Sequence, residues 1–166
     1  MRIYDRVYII EGESFGGGTY NSYLFNEGYW FLVNGGLITS TNLMINNILE
    51  ITKGHPLRYI IITSCIRELA ENVKELYMVF NPDIIAGYPD SVRLRRGECG
   101  NSPVEIAIEV RNEIRIGKIR IVRSKSPTSG SIIIESEGGI FSGLTKVSPL
   151  YQKSYLFSST EYIRYG

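Results

Sequence analysis

The stretch Arg58–Phe80, RYIIITSCIRELAENVKELYMVF, decides how the rest of the chain is read. Tyr59-Ile60-Ile61-Ile62 is a short continuous apolar run, the pattern of a strand covered on both faces. Ile66, Leu69, Val73, Leu76 and Tyr77 follow at helical spacing and share one face. The pattern predicts a buried strand running straight into an amphipathic helix, with Thr63-Ser64-Cys65 at the junction. The carboxyl end of a central strand is where α/β proteins usually place chemistry. On its residues alone, Ser64 reads as the helix N-cap and Cys65 as a small buried side chain. A nucleophile at either position needs a base within reach. The only histidine, His55, lies at the far end of the same strand, leaving Lys125 as the one candidate base.

Working outward, residues 2 to 10 predict one or two strands, and Gly16-Gly17-Gly18 a plain loop rather than a phosphate cradle. A phosphate-binding loop needs a Gly-Lys-Ser/Thr ending before a helix, whereas here Tyr20–Phe25 reads as a strand. Asn26-Glu27-Gly28 predicts a hairpin turn, with Tyr29–Val33 as the return strand. Met44, Ile45, Ile48 and Leu49 form a helical stripe that Gly54-His55-Pro56 stops. Past the central unit, residues 84–88 predict a strand. Residues 89–103, with the Arg93-Leu94-Arg95-Arg96 cluster, read as a loop whose arginines are solvated. From Val104 to Phe141 short alternating runs separated by turns predict a β meander. This order fits two packed sheets with helices outside better than a regular β-α alternation.

The composition sets bounds. A chain of 166 residues suits one domain with a sizeable core. A net charge of +1 gives no bulk reason to bind nucleic acid or an anionic membrane. No apolar run reaches membrane-spanning length, and the charged N-terminus does not read as a signal peptide. A cytoplasmic protein is the expectation. Two cysteines, Cys65 and Cys99, are too few for a disulfide framework or a four-cysteine zinc site. A single bridge between them is left open. With one histidine, the chain cannot build a multi-histidine metal site. The 24 isoleucines and single glutamine point toward a thermophile, and the ten asparagines point away.

Across residues 7–147 several short motifs, in order, resemble the metallo-β-lactamase superfamily. Asn21-Ser22-Tyr23-Leu24 resembles its NxYL strand, and Leu32-Val33-Asn34-Gly35-Gly36 its (I/V)DxG turn. Ile61–Leu69, IITSCIREL, lines up with its IxTHxHxDH signature. Ser126–Ser131 resembles its GHTPGS loop, and Ile140–Thr145 its LFSGDT strand end. The resemblance implies an α/β (α+β) αββα sandwich, in a truncated or minimal version, as a domain over residues 1–150. It also implies where metal ligands stand in the family. Those positions are held here by Asn34, Ser64, Ile66, Glu68, Leu69, Pro127 and Leu144. The chain ends before the region where many members supply a last histidine. Zinc or iron needs three or more N, O or S donors converging at about 2 Å, and four of these side chains have none. The resemblance therefore implies a fold without its metal, and so without the acidified water its hydrolases use.

The resulting expectation is a catalytically inactive, metal-free protein that needs no cofactor and acts by binding another protein or a second copy of itself. The tail, residues 151–166, carries five aromatics and is expected to pack on the domain or a partner. An alternative is a small-ligand or nucleotide binder in the vestigial cleft, lined by Asn34, Ser64, Glu68, Lys125 and Thr128.

Overall fold

A computed structural model describes residues 2–4, 7–10, 14–15, 18–137, 139–142 and 144–146. The tail at 151–166 lies outside the described residues. In chain order the elements are β1 (Arg2–Tyr4), β2 (Val7–Ile10), β3 (Ser14–Phe15), β4 (Gly18–Tyr20), β5 (Ser22–Asn26), β6 (Trp30–Val33), a 3₁₀ turn (Ile38–Ser40), α1 (Thr41–Thr52), β7 (Leu57–Ile62), α2 (Arg67–Ala70), α3 (Val73–Phe80), β8 (Asp83–Gly87) and α4 (Asp90–Arg96). There follow β9 (Ile108–Val110), β10 (Glu113–Ile116), β11 (Ile119–Arg123), β12 (Ile132–Ser136), β13 (Gly139–Phe141) and β14 (Leu144–Lys146).

The strands form a seven-stranded sheet in the order β1-β2-β5-β6-β7-β8-β9, a four-stranded sheet β10-β11-β12-β13, and a small sheet β14-β4-β3. The large sheet is mixed. β6, β7, β8 and β9 run parallel, joined through helices, and the first four strands are antiparallel. β7 is central, as its unbroken apolar run demands: a parallel strand buried on both faces has no polar side to show.

Period-two alternation sorts that run into two cores. Ile60 and Ile62 join Leu24, Leu32, Ile84 and Ala86 beneath the helices, where Met44 and Ile48 of α1, Val73 and Leu76 of α3, and Leu94 of α4 cover them. Ile61 faces the other way, with Tyr23, Phe25, Phe31, Val33 and Ile85, onto Ile119, Ile121, Ile132, Ile134 and Phe141 of the second sheet. Phe25 stacks on Phe31 with ring centroids 4.7 Å apart and meets Phe141 edge-on at 5.0 Å. All helices among the described residues lie on one side, giving the αββ part of the sandwich.

Several local expectations change. The predicted single helix after the junction is two: α2 ends at Ala70, and α3 begins at Val73 after Glu71-Asn72. Asn72 is fully buried at the break, where its Nδ2 donates to Gly35 O at 3.1 Å. Residues 89–103, read as a loop, contain α4. Its seven residues are too few and too charged to display a stripe, yet Leu94 is fully buried, and Gly97 closes the helix in the left-handed region at φ 73°. The arginines occupy its last turn, where cations suit a helix end. Arg95 pairs with Glu109 at 3.2 Å and Arg96 with Glu98 at 3.9 Å. Ser91 donates to Glu109 at 2.5 Å, and that bond above all, joined by Arg111 and Arg95, holds the Glu109 carboxyl below its ordinary pKa against the opposing effect of burial.

One edge of each of the two larger sheets, β9 and β10, carries charge. Glu109 sits in the middle of β9, and β10 alternates exposed Glu113 and Arg115 with half-buried Ile114 and Ile116. Arg120 of β11 bridges Glu113 at 2.9 Å and Glu135 of β12 at 2.6 Å, a charge ladder across three strands.

The two sheets are tightly apposed where β8 ends. A Cβ on Gly87 would overlap Gly130 O and come within 2.8 Å of Ile132 Cγ2. Gly87→Ala is therefore expected to cost about 2–3 kcal/mol, the upper range for overpacking a dense interior, read as a lowered urea midpoint at unchanged slope.

Candidate functional site

The end of β7 is closed by two hydrogen-bonded clusters. In the first, Asn34 leaves β6 at φ 70°, a left-handed conformation that asparagine tolerates better than most residues. Its backbone N–H donates to Ile61 O at 2.8 Å. Its side-chain Oδ1 accepts Thr63 N–H at 2.8 Å, and its Nδ2 lies 2.9 Å from Thr63 Oγ1. Fully buried, Asn34 thus ties the ends of two parallel strands together.

The second cluster runs across the sheets. Ser64 Oγ lies 2.6 Å from Ser131 Oγ, and Ser131 Oγ lies 2.8 Å from Thr128 Oγ1 and accepts Thr128 N–H at 3.0 Å. Thr128 Oγ1 donates in turn to Asp90 Oδ2. Asp90 also accepts Cys65 N–H on Oδ2 at 2.8 Å and Gly130 N–H on Oδ1 at 3.1 Å. Asp90 and Ser131 are each 1% exposed and Ser64 is 3% exposed. The chain Ser64–Ser131–Thr128–Asp90 is a largely buried, internally bonded network. Beside it Cys65 and Cys99 form a disulfide that joins the strand–helix junction to the segment after α4. The predicted N-cap role of Ser64 is not seen. Ile66 occupies the cap of α2 in extended conformation with no side-chain cap bond, and Ser64 reaches Ser131 instead. Cys65 is likewise a disulfide partner rather than a free small residue.

The remaining positions diverge. Leu69 is 1% exposed, with its carbonyl taken by Gly35 N–H at 2.8 Å, and Ile66 is half-buried. Glu68 points to its neighbour Arg67, 3.9 Å away. Lys125 is exposed at φ 61°, and Pro127 is exposed after a cis peptide bond. Leu144 lies in β14 opposite Tyr20. His55 is exposed, with Nδ1 2.8 Å from Thr52 O. Structure thus brings Ser64 and Thr128 together through Ser131 and pairs Asn34 with Thr63, while Glu68 and Lys125 stand apart. Asp90, the central acceptor, was missed by sequence reading.

These residues do not fit a metal. Ile66, Leu69, Pro127 and Leu144 carry no donor, and the hydroxyls and carboxylate nearby are already engaged with one another. Among the described residues no three of His, Cys, Asp and Glu converge as a metal-holding group.

The architecture is the metallo-β-lactamase fold. A metallo-β-lactamase from Cronobacter sakazakii described by a HARLDQ motif superposes at a TM-score of 0.60 and 18% identity, covering 75% of this chain and 60% of that one. A subclass B3 metallo-β-lactamase of Bradyrhizobium japonicum gives 0.61 at 16% identity, over 78% and 56%. A mutant flavo di-iron protein from Thermotoga maritima gives 0.68 at 21% identity, over 86% and 40%. The chain thus spans about 60% or less of these structures' lengths. No family model matches the sequence, and no curated protein does. No helix among the described residues is long and apolar enough to cross a membrane.

Proposed function

We propose that this protein is a non-catalytic metallo-β-lactamase-fold protein that acts by binding a protein partner, another chain or a copy of itself. The observation that carries this reading is the end of β7. Four of the seven positions that hold metal in the family are apolar here, Ile66, Leu69, Pro127 and Leu144, and Ser64 spends its hydrogen bonds within a cluster with Ser131, Thr128 and Asp90. The same saturation disfavours a polar ligand in the vestigial cleft, because binding there would first have to break buried bonds.

The helical layer supports the interaction reading. Leu43 and Leu49 of α1 are 62% and 43% exposed, and Met78 and Val79 of α3 are 70% and 53% exposed. A protein docked on these two outer helices would remove that apolar surface from water. The disulfide agrees with a cytoplasmic setting only in a cell whose cytoplasm tolerates such bonds, as hyperthermophiles' do, and the isoleucine-rich composition is in keeping with that source.

Purified protein loaded with excess zinc or ferrous iron and then gel-filtered is expected to retain less than a tenth of an equivalent; stoichiometric metal would sink the non-catalytic reading. In light scattering and co-purification, the double variant Leu43→Glu/Met78→Glu is expected to lose its bound partner or self-association at unchanged melting temperature. Retention of the complex by this variant counts against the helical surface.

A further inference from the structure

The far end of β7 holds a second, unrelated site. A cavity of about 530 Å³ opens between the β5–β6 turn and the α1–β7 connection. It lies five residues, about 16 Å of extended chain, from the Thr63 junction. Parallel pairing builds it by setting Trp30 opposite Leu57, so that residues 26–30 and 51–58 face one space. Its size falls in the ordinary range of small-molecule pockets.

The wall is chemically lopsided. Trp30, Ile51 and Pro56 give it apolar surface, with Tyr29 at its border turned to the other face of the sheet against Phe31 and Tyr59, and Lys53, His55 and Arg58 give it three bases, while none of its lining residues is acidic. Lys53 and Arg58 are exposed and make no ion pair among the described residues. The negative end of α1 points here, but it is already answered: Thr52 O accepts His55 N–H at 3.1 Å and lies 2.8 Å from His55 Nδ1. Thr52 Oγ1, on a wall residue that is 1% exposed, is buried without a hydrogen-bond partner in the structure.

We propose that this pocket binds a small planar aromatic anion, its ring against Trp30 and its charged group met by Lys53 and Arg58. The Trp30 face accepts a flat ring, and Lys53 and Arg58, neither of them in an ion pair among the described residues and the latter 5.8 Å from the Tyr59 ring centroid, supply the anion's counter-charge. The shared chemistry is that of a nucleoside monophosphate or an aromatic carboxylate. Neither depends on the junction at the other end of the strand, so the site stands whether or not that junction is non-catalytic.

Trp30 is the chain's single tryptophan, so the chain's tryptophan emission arises at the wall of this pocket. The full chain is titrated with AMP, benzoate, adenosine and inorganic phosphate. Saturable changes in Trp30 emission are expected with AMP, with benzoate, or with both, and which of them responds separates the nucleotide from the aromatic acid. Adenosine and phosphate are each expected to bind at least about tenfold more weakly, since each lacks one half of the recognised chemistry. Arg58→Gln and Lys53→Gln, both at exposed positions, are each expected to weaken binding about tenfold at unchanged melting temperature. The proposal is overturned if neither aromatic anion gives a saturable change up to millimolar concentration, if adenosine matches AMP, or if both variants bind as the parent does.

Discussion

Reducing the Cys65–Cys99 disulfide is expected to lower the unfolding free energy by about 3–4 kcal/mol. The bridge closes a loop with a sequence separation of 34 residues, and a loop of that length removes roughly this much from the denatured chain's entropy. The loop contains α2, α3, β8 and α4, so the constraint reaches most of the helical layer and the central strand beside it. The junction has a local stake as well: a Cβ on Gly100 would come within 2.8 Å of Arg67 Cβ, which shows how closely the segment after Cys99 lies on α2. Urea unfolding with and without reductant measures the effect, and the melting temperature is expected to fall by about 10 °C. The Cys65→Ala/Cys99→Ala variant should match the reduced protein and show no further response to reductant. Identical midpoints in the two conditions would show that the bridge does not constrain the chain.

Asp90→Ala is expected to cost about 4 kcal/mol. It removes the acceptor, itself 1% exposed, that is shared by Cys65 N–H, Gly130 N–H and the Thr128 hydroxyl. Each buried donor left without a partner costs about 1–3 kcal/mol, and relaxation recovers part of the sum. Asp90→Asn, nearly the same shape, should still cost about 3 kcal/mol, because its amide turns two N–H groups toward donors that need acceptors. A denaturation midpoint for Asp90→Asn within 0.5 kcal/mol of the parent, on the order of ordinary surface changes, would remove Asp90 from the centre of the network. Because Cys65 N–H bonds Asp90 directly, the losses from Asp90→Asn and from disulfide reduction should not add.

What the sequence revealed and what it hid divide along physical lines. The central strand was legible because burial on both faces leaves no polar side chain in Tyr59–Ile62, and the hairpins were legible from their alternation. The Asn34 turn was legible through its motif. Asp90 was not: it opens a seven-residue helix with little apolar pattern, and its partners Thr128 and Gly130 lie 38 and 40 positions away. Only the close approach at Gly87 and Gly130 brings them together. The Cys65–Cys99 pairing was open in a sequence with two cysteines and needed the path of α4 to decide it. Ser64 shows the limit of local rules. A serine before a helix reads as a cap, but a hydroxyl 67 positions away on another sheet took it. The basic pocket was invisible for the same reason, because His55 and Arg58 come to one space with Trp30 only through parallel pairing of β6 with β7.

The charges on β9 and β10 have a bearing on crowded solution. A strand at the border of a sheet offers unpaired backbone N–H and C=O groups to any neighbour that can lie alongside. Here a newcomer alongside β10 would have to settle against Glu113 and Arg115, and one alongside β9 against Glu109, which Arg95 and Arg111 already hold. Continuation of a sheet from one molecule into the next is thereby opposed at both of these borders.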